Sequence, residues 1–532
     1  MSNSDDAVRE GLSSVTRGTL FLLVATIAYV GINFVSRVIV VRNTTPGEWN
    51  AFSLALTLAG VISALGTLGL PNAIARSLPY ATGDPARRSM VRGTLVLSAV
   101  AGAVGAIGLF FAAPALGSAL GSANLSPANL TLALQLFSVT IATSVVATVV
   151  ASIFQGYEDV TPNGLFVQII NPALFVGFLV VYLALPPRGL SYGEALTAYA
   201  AANVASLALI LVYMLRRLPR RLPAGVGDPK ALRQLLTFAA PLFVVGVMST
   251  LMGSGDTLVL GVYHSSEVGT YSASLTLSRL LTVGMTAAAY IFLPVATRFH
   301  VRRQTGSVDL TYTTVTKWMI LLSLPLFLVF FFVPSESLDF VYGISYTAVT
   351  LPLDLTVFGA FVTTLLGPGP TVQVAFGRTR LLLYNAVAAG SIDVGLAFAL
   401  VPTWGYVGAA VAWGTANAAY SALSIAEIAV LDRVHPFRQH FVLPLLVTGV
   451  PSALALYLAR PFLAVHSPLI TLPPIALGIA GLFLVVVLVT RSVDVGDAML
   501  LDAVERMLGR PLPWVRRLGR LGLRRALNGA RR

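Results

Sequence analysis

The sequence predicts an all-α membrane protein of about fourteen transmembrane helices, arranged as two parallel six-helix lobes followed by two further helices. Three observations carry that prediction. Of 532 residues, 56% are hydrophobic and only 11% charged, with a mean hydropathy of +0.82, whereas a soluble domain carries about 25% charged residues. The apolar residues also gather into runs of roughly twenty, the length that crosses a ~30 Å hydrocarbon core. Finally, Lys and Arg alternate between abundant and scarce from one connection to the next, as the positive-inside rule requires of a multi-pass chain.

The runs fall at 18–41, 49–70, 91–115, 130–153, 163–185, 194–215, 234–255, 268–295, 317–341, 347–372, 381–401, 406–430, 441–462 and 468–490. Lipid offers no hydrogen-bond partner, so each must be a helix or part of a closed barrel, and the absence of a two-residue alternation selects helices. The first run is too long for a signal-peptide core and reads as a retained span. An even number of spans puts both termini on one side. With the termini cytoplasmic, 30 of the 35 basic residues fall inside, Lys317 among them, in the connection after span eight. Arg42, Arg188 and Arg460 fall outside, and Arg37 and Arg279 lie within spans. The net charge of +13 thereby orients the chain against an anionic inner leaflet, and no nucleic-acid partner is needed to explain it. The segment Pro511–Arg532, with Trp514, Leu518 and Leu521 among five arginines, reads as an amphipathic helix lying on that leaflet.

An internal repeat organises the spans. Phe52-Ser53-Leu54-Ala55-Leu56-Thr57-Leu58 in span two echoes Tyr271-Ser272-Ala273-Ser274-Leu275-Thr276-Leu277 in span eight, an offset of 219 residues. At the same offset Arg37 corresponds to Asp256, and Tyr199–Asn203 resembles Trp413–Asn417 at an offset of 214. Six spans separate the copies, so they share orientation, as in parallel-repeat transporters. The expected organisation is a cytoplasmic N-terminus (1–17), an N-lobe (18–215), a basic linker (216–233), a C-lobe (234–430), two further spans (441–490) and a basic cytoplasmic tail (491–532).

Chemistry-bearing motifs are scarce. Cys is absent, and the five His residues lie at predicted loops or helix ends without metal-ligand spacing. No nucleophile constellation or phosphate-binding loop appears, so no catalytic residue, metal or cofactor is assigned. The informative residues are ionisable groups inside spans, each of which costs about 2.5–3.5 kcal/mol on insertion scales. Arg279 lies eleven residues into span eight and Asp393 comparably deep in span eleven; Asp354 is shallower in span ten. Arg37 and Asp256 sit toward outer helix ends, where snorkelling explains a charge equally well. Glu427 approaches the inner end of span twelve, a solvated position.

The stretch Leu400-Val401-Pro402-Thr403-Trp404-Gly405-Tyr406-Val407-Gly408-Ala409-Ala410-Val411-Ala412 resembles the turn between spans eleven and twelve of the polysaccharide-transporter family of oligosaccharide flippases. That family is related to the multidrug-extrusion antiporters and the lipid II flippase in the MOP superfamily. Gly69-Leu70 leading to Arg76, Asp256 followed by Val268-Gly269-Thr270-Tyr271, and Phe376-Gly377-Arg378 are similar to further family pieces. Within the hallmark, Pro402 is expected to end span eleven, Gly405 to permit the turn, and Gly408, Ala409, Ala410 and Ala412 to let span twelve pack closely.

The resemblance implies movement of a polyprenyl-(di)phosphate-linked oligosaccharide to the outer leaflet of the plasma membrane, with glycan-assembly enzymes as partners and no enzymatic step. It implies substrate-binding roles for Arg279, Arg37 and Arg76, with guanidinium suited to phosphate oxygens. Asp393, Asp256 and Asp354 become counter-ions or ion-coupling groups, Arg279 pairing with Asp393 or Asp354 being the structural alternative. A cation-coupled drug extruder of the same fold, or a membrane glycosyltransferase or polymerase, are the rival expectations. The first needs midplane carboxylates in spans one to six, which are absent, and the second a large acidic outer loop, whereas the outer loops are short.

Overall fold

The structure is a computed structural model describing residues 2–81, 83–122, 124–185, 189–221, 228–343, 350–437, 439–463, 465–490, 492 and 497. The basic tail, apart from Ser492 and Asp497 and including the expected helix at 511–532, lies outside the described residues. Among the described residues the regular structure is helical, apart from one isolated bridge between Ser122 and Leu125. The helices are α1 (Ser2–Asn43), α2 (Pro46–Gly66), α3 (Leu70–Ser77), α4 (Asp84–Leu120), α5 (Pro127–Gly156), a π-helix (Pro162–Ile170), α6 (Asn171–Ala184), α7 (Tyr192–Arg221) and α8 (Pro229–Tyr263). They continue as α9 (Val268–Leu281), α10 (Val283–Val301), α11 (Thr305–Phe332), α12 (Pro334–Tyr342), α13 (Leu351–Leu366), α14 (Gly369–Ala375), α15 (Thr379–Trp404), α16 (Tyr406–Asp432), α17 (Gln439–Leu463) and α18 (Pro468–Val489).

Twelve helical segments among the described residues are long and apolar enough to cross a membrane. The other two expected spans are also helical but differ in kind. Span eight is interrupted at Thr282, between α9 and α10. Span twelve is α16, 27 residues long, its hydropathy lowered by Asn417, Ser421, Ser424 and Glu427. Span nine begins earlier than expected, at Thr305, so Lys317 is not in a connection. It lies within α11 with 1% exposure.

Helix starts follow local chemistry. Thr45 and Glu48 form a reciprocal box ahead of α2: the Glu48 N–H donates to Thr45 Oγ1 at 3.4 Å, and the Thr45 N–H to Glu48 Oε2 at 2.8 Å. Ser191 and Glu194 repeat the arrangement at α7. Asp228 caps α8 by accepting from the Lys230 N–H at 2.9 Å.

Two compact units emerge. The first comprises Phe21–Ser272 with Val394–Ala409, and the second the remaining described residues. In the first, α5 is the central helix, packed by α2, α3, α4, α7 and the π-helix, while α8 packs on α2, α3 and α4. Leu70, Ile74, Met90, Ile153, Leu235 and Ala239 form a core where α3, α4, α5 and α8 meet. Gly69 starts α3 at φ +70°, and a Cβ there would lie 2.5 Å from the Ala239 carbonyl oxygen. Both facts demand glycine and explain the Gly69-Leu70 motif. In the second unit α11 is central, contacted by α10, α12, α13, α17 and α18. There α13 and α16 approach until a Cβ on Gly359 would lie 2.7 Å from the Gly414 Cα, the small-residue packing that membrane helices use.

Candidate functional site

The repeat brings its own equivalent positions together in the first unit. Asn50, at the start of α2, accepts from the Gly269 N–H at 2.5 Å and donates to the Ser266 carbonyl at 2.6 Å. Trp49 Nε1 donates to the Gly269 carbonyl at 2.9 Å. Asn50 and Gly269 are 219 residues apart, the repeat offset itself, so the second spans of the two copies, spans two and eight of the chain, clasp each other. A Cβ on Gly269 would meet Asn50 Oδ1 at 2.4 Å, and only glycine fits the clasp.

The hallmark turn joins the same region. The Tyr406 N–H donates to Glu267 Oε2 at 2.8 Å, which caps the otherwise unsatisfied N-terminus of α16 and sets a negative charge against its dipole. His264 Nε2 lies 3.3 Å from the Pro402 carbonyl. Gly405 adopts φ +54° and turns the chain, while Gly408 stacks on α15 so closely that a Cβ would lie 2.6 Å from the Leu400 carbonyl carbon. Pro402 does not end the helix, as α15 runs on to Trp404. A proline in the last turn removes only its own N–H bond, and the glycine supplies the stop.

Asp256 differs from the expectation of an outer-end charge. It is fully buried in α8, receiving hydrogen bonds from the Tyr271 hydroxyl and, at 3.4 Å, from Thr257 Oγ1. Tyr271 also reaches the Ala409 carbonyl at 3.3 Å. The aspartate thus ties α8, α9 and the start of α16 together. Arg37 is half-buried in α1, within electrostatic reach of Tyr199. Arg76 is exposed on α3, its guanidinium 4.7 Å from the Phe238 ring centroid.

In the second unit Arg279 is exposed on α9, two residues before that helix ends. Thr282 closes the helix there: its N–H and its hydroxyl both donate to the Arg279 carbonyl, at 3.1 and 2.9 Å. Asp393 is fully buried in α15. Asp354, in the first turn of α13, is half-buried with Arg460 as the opposing charge. Glu427 is not simply solvated. Its Oε2 accepts from Gln373 Nε2 at 2.5 Å and Asn385 Nδ2 at 2.8 Å, knotting α14, α15 and α16. Arg378 of the Phe-Gly-Arg motif pairs with Asp432 at 2.6 Å. Lys317 Nζ lies 2.7 Å from Asp497 Oδ2 and donates to the Ser492 carbonyl at 2.8 Å.

Sequence reasoning missed the Trp49–Asn50 clasp, the Glu267 cap and the Lys317–Asp497 pair. The 219-residue offset held the signal for the first, because it names Asn50 and Gly269 as equivalents. Among the described residues no three His, Asp or Glu side chains gather as a metal site.

A family model described as "Polysaccharide biosynthesis protein" matches residues 15–300, more than half of the chain. The chain belongs to this family. No curated protein matches the sequence. Among solved structures, the lipid II flippase MurJ in an inward closed conformation is similar at 13% identity and a TM-score of 0.69, over 87% of this chain and 98% of that one. An inward-facing multidrug resistance MATE transporter of the MOP superfamily is similar at 15% identity and 0.60, over 78% and 98%. A MOP superfamily transporter from Pyrococcus furiosus is similar at 14% identity and 0.53, over 79% and 95%. At these identities the likeness establishes the fold: this polysaccharide-biosynthesis family member is a multi-pass membrane protein with the MOP transporter architecture.

Proposed function

We propose that the protein is a flippase that carries a polyprenyl-(di)phosphate-linked oligosaccharide from the cytoplasmic to the outer leaflet of the plasma membrane. The observation that carries this reading is membership of a polysaccharide-biosynthesis family by a chain folded as a transporter. In this reading both termini are cytoplasmic, the basic connections face the anionic inner leaflet, and the glycan is handed on by assembly enzymes rather than changed here. Arg279, an exposed cation inside a span, takes the substrate phosphate. Arg37 and Arg76 are further anionic contacts, and Asp393, Asp256 and Asp354 balance or couple charge. The N-lobe at 18–215 and C-lobe at 234–430 are the moving bodies. An inside-negative potential favours outward movement of an anion by about 2.3 kcal/mol per charge per 100 mV, so no coupling ion is required energetically.

Lipid analysis of a deletion strain tests the reading. The lipid-linked glycan should be made but retained on the inner leaflet, with surface glycan reduced. A strain that never synthesises it would point to an enzyme instead, and cationic-dye uptake by vesicles carrying the protein would point to a drug extruder.

A further inference from the structure

The first unit contains a polar surface at membrane depth of which the reading above uses only Arg37. On α1, Thr26, Tyr29, Asn33 and Arg37 recur at spacings of three and four, so they share one face. Asn33 lies ten residues before the outer end of α1 at Asn43, about 15 Å in at 1.5 Å per residue, the middle of a ~30 Å core. Asn203 lies eleven residues after the start of α7 at Tyr192, about 16 Å in. Two carboxamide clusters line this face, one near this depth around Asn203 and one at Thr26, seven residues before Asn33 and so about 10 Å further toward the inner end. Thr26 Oγ1 donates to Gln168 Oε1 at 2.9 Å. Asn171 Nδ2 and Ser144 Oγ both donate to Asn203 Oδ1, at 3.1 and 3.4 Å.

What distinguishes these groups is what they leave unused. Among the described residues, Gln168 Nε2, Asn171 Oδ1, Asn33 Oδ1 and the Tyr29 hydroxyl make no hydrogen bond, yet none is sealed from the surface. In lipid an unpaired polar group costs several kcal/mol, so this face borders water or cargo, not acyl chains. Gln168 sits in the nine-residue π-helix Pro162–Ile170, a departure from α geometry that recurs at functional sites. Tyr199 adds an aromatic wall, packed against Phe175 at 5.1 Å and Phe137 at 4.9 Å between ring centroids.

The chemistry of this set is specific. Apart from Arg37 at its outer end it holds no ionisable charge, so it suits neither a phosphate nor a cation. Gln168 leaves a donor and Asn171 and Asn33 leave acceptors, so the set can both give to and accept from the hydroxyls of a sugar ring. The tyrosine rings give the apolar face against which such a ring's C–H groups pack. We propose that Thr26, Tyr29, Asn33, Gln168, Asn171 and Tyr199 form a subsite for an uncharged segment of saccharide. This rests on the flippase reading and deepens it: the sugar is recognised in the first unit, apart from the phosphate contact at Arg279.

The native chain has no cysteine, so Gln168→Cys and Asn33→Cys can be read cleanly. The purified full-length variants should react with a hydrophilic methanethiosulfonate. The oligosaccharide released by mild acid from the lipid that accumulates in deletion cells should slow that reaction at least fivefold, and labelling of a cysteine at Ser122, exposed in the connection after α4, should be unaffected. Absence of labelling, or no protection, overturns the subsite. In proteoliposomes, Gln168→Ala with Asn171→Ala should raise half-saturation for the glycan-bearing lipid about tenfold and leave the bare polyprenyl diphosphate unchanged. Gln168→Asn with Asn171→Gln should recover part of the loss, which a mere folding defect would not show. Equal loss for both lipids overturns the proposal. A wild-type protein that moves neither lipid sinks the flippase reading instead, and the labelling result then decides the subsite by itself.

Discussion

Breaking the Lys317–Asp497 pair should destabilise the protein far more than breaking a surface ion pair. Both side chains are 2% exposed and 2.7 Å apart, and the ammonium also donates to the Ser492 carbonyl. Removing one member of a buried pair costs about 3–5 kcal/mol, because a charge is left without compensation. At roughly 2 °C per kcal/mol for a large chain, that is a fall in melting temperature of about 6–10 °C in detergent. The two single changes should not be equal. Lys317→Met leaves Asp497 still accepting from Trp318 Nε1 at 2.7 Å. Asp497→Leu strands both the ammonium and the indole N–H, so it should be the worse variant. The double variant Lys317→Met with Asp497→Leu removes both charges together and should recover most of the loss. Thermal unfolding and detergent-soluble yield of the three proteins measure this. Single variants within about 2 °C of wild type would match an exposed pair and refute the buried-pair argument, as would a double variant that merely adds the two losses.

Other outcomes are expected. Arg279→Ala should abolish transport with near-normal folding and Arg279→Lys should keep part of it, a point charge replacing the bidentate fork. Low yield restored by adding Asp393→Asn would mark a structural ion pair, and full transport by that neutral double variant would rule out the phosphate role. Glu427→Leu should leave the Gln373 and Asn385 amides unsatisfied at about 1–3 kcal/mol each, seen as reduced thermal stability; wild-type stability would mean the carboxylate holds nothing. Cysteines at Ala224 and Ser307 should be shielded from an impermeant thiol reagent in intact cells while one at Ser122 reacts; labelling at Ala224 would overturn the assignment of both termini to the cytoplasm.

Hydropathy made the fold class legible because lipid leaves an apolar run almost no alternative to helix. It is blind to what happens inside a run. The interruption at Thr282 carries no proline and falls in a stretch, Ser278 to Gly284, whose average is still apolar. The π-helix at Pro162–Ile170 likewise leaves the hydropathy of its span at 2.1. Lys317 misled for the opposite reason. A lysine at the edge of an apolar run reads as its boundary, yet this one is neutralised by Asp497, 180 residues away, a partner that no local window contains.

The candidate sites divide along the same line. Arg279 and Asp393 stood out because charge in a span is rare and costly, which is a property of the residue alone. Gln168, Asn171 and Asn203 did not, because a carboxamide in a helix is unremarkable until its partners are known. Their meaning comes from the atoms of Gln168 and Asn171 that remain unpaired after Thr26 and Asn203 have been satisfied. A charged group announces itself through the cost of burying it, whereas a neutral recognition surface is visible only as hydrogen-bonding capacity left over at a depth where lipid could not satisfy it.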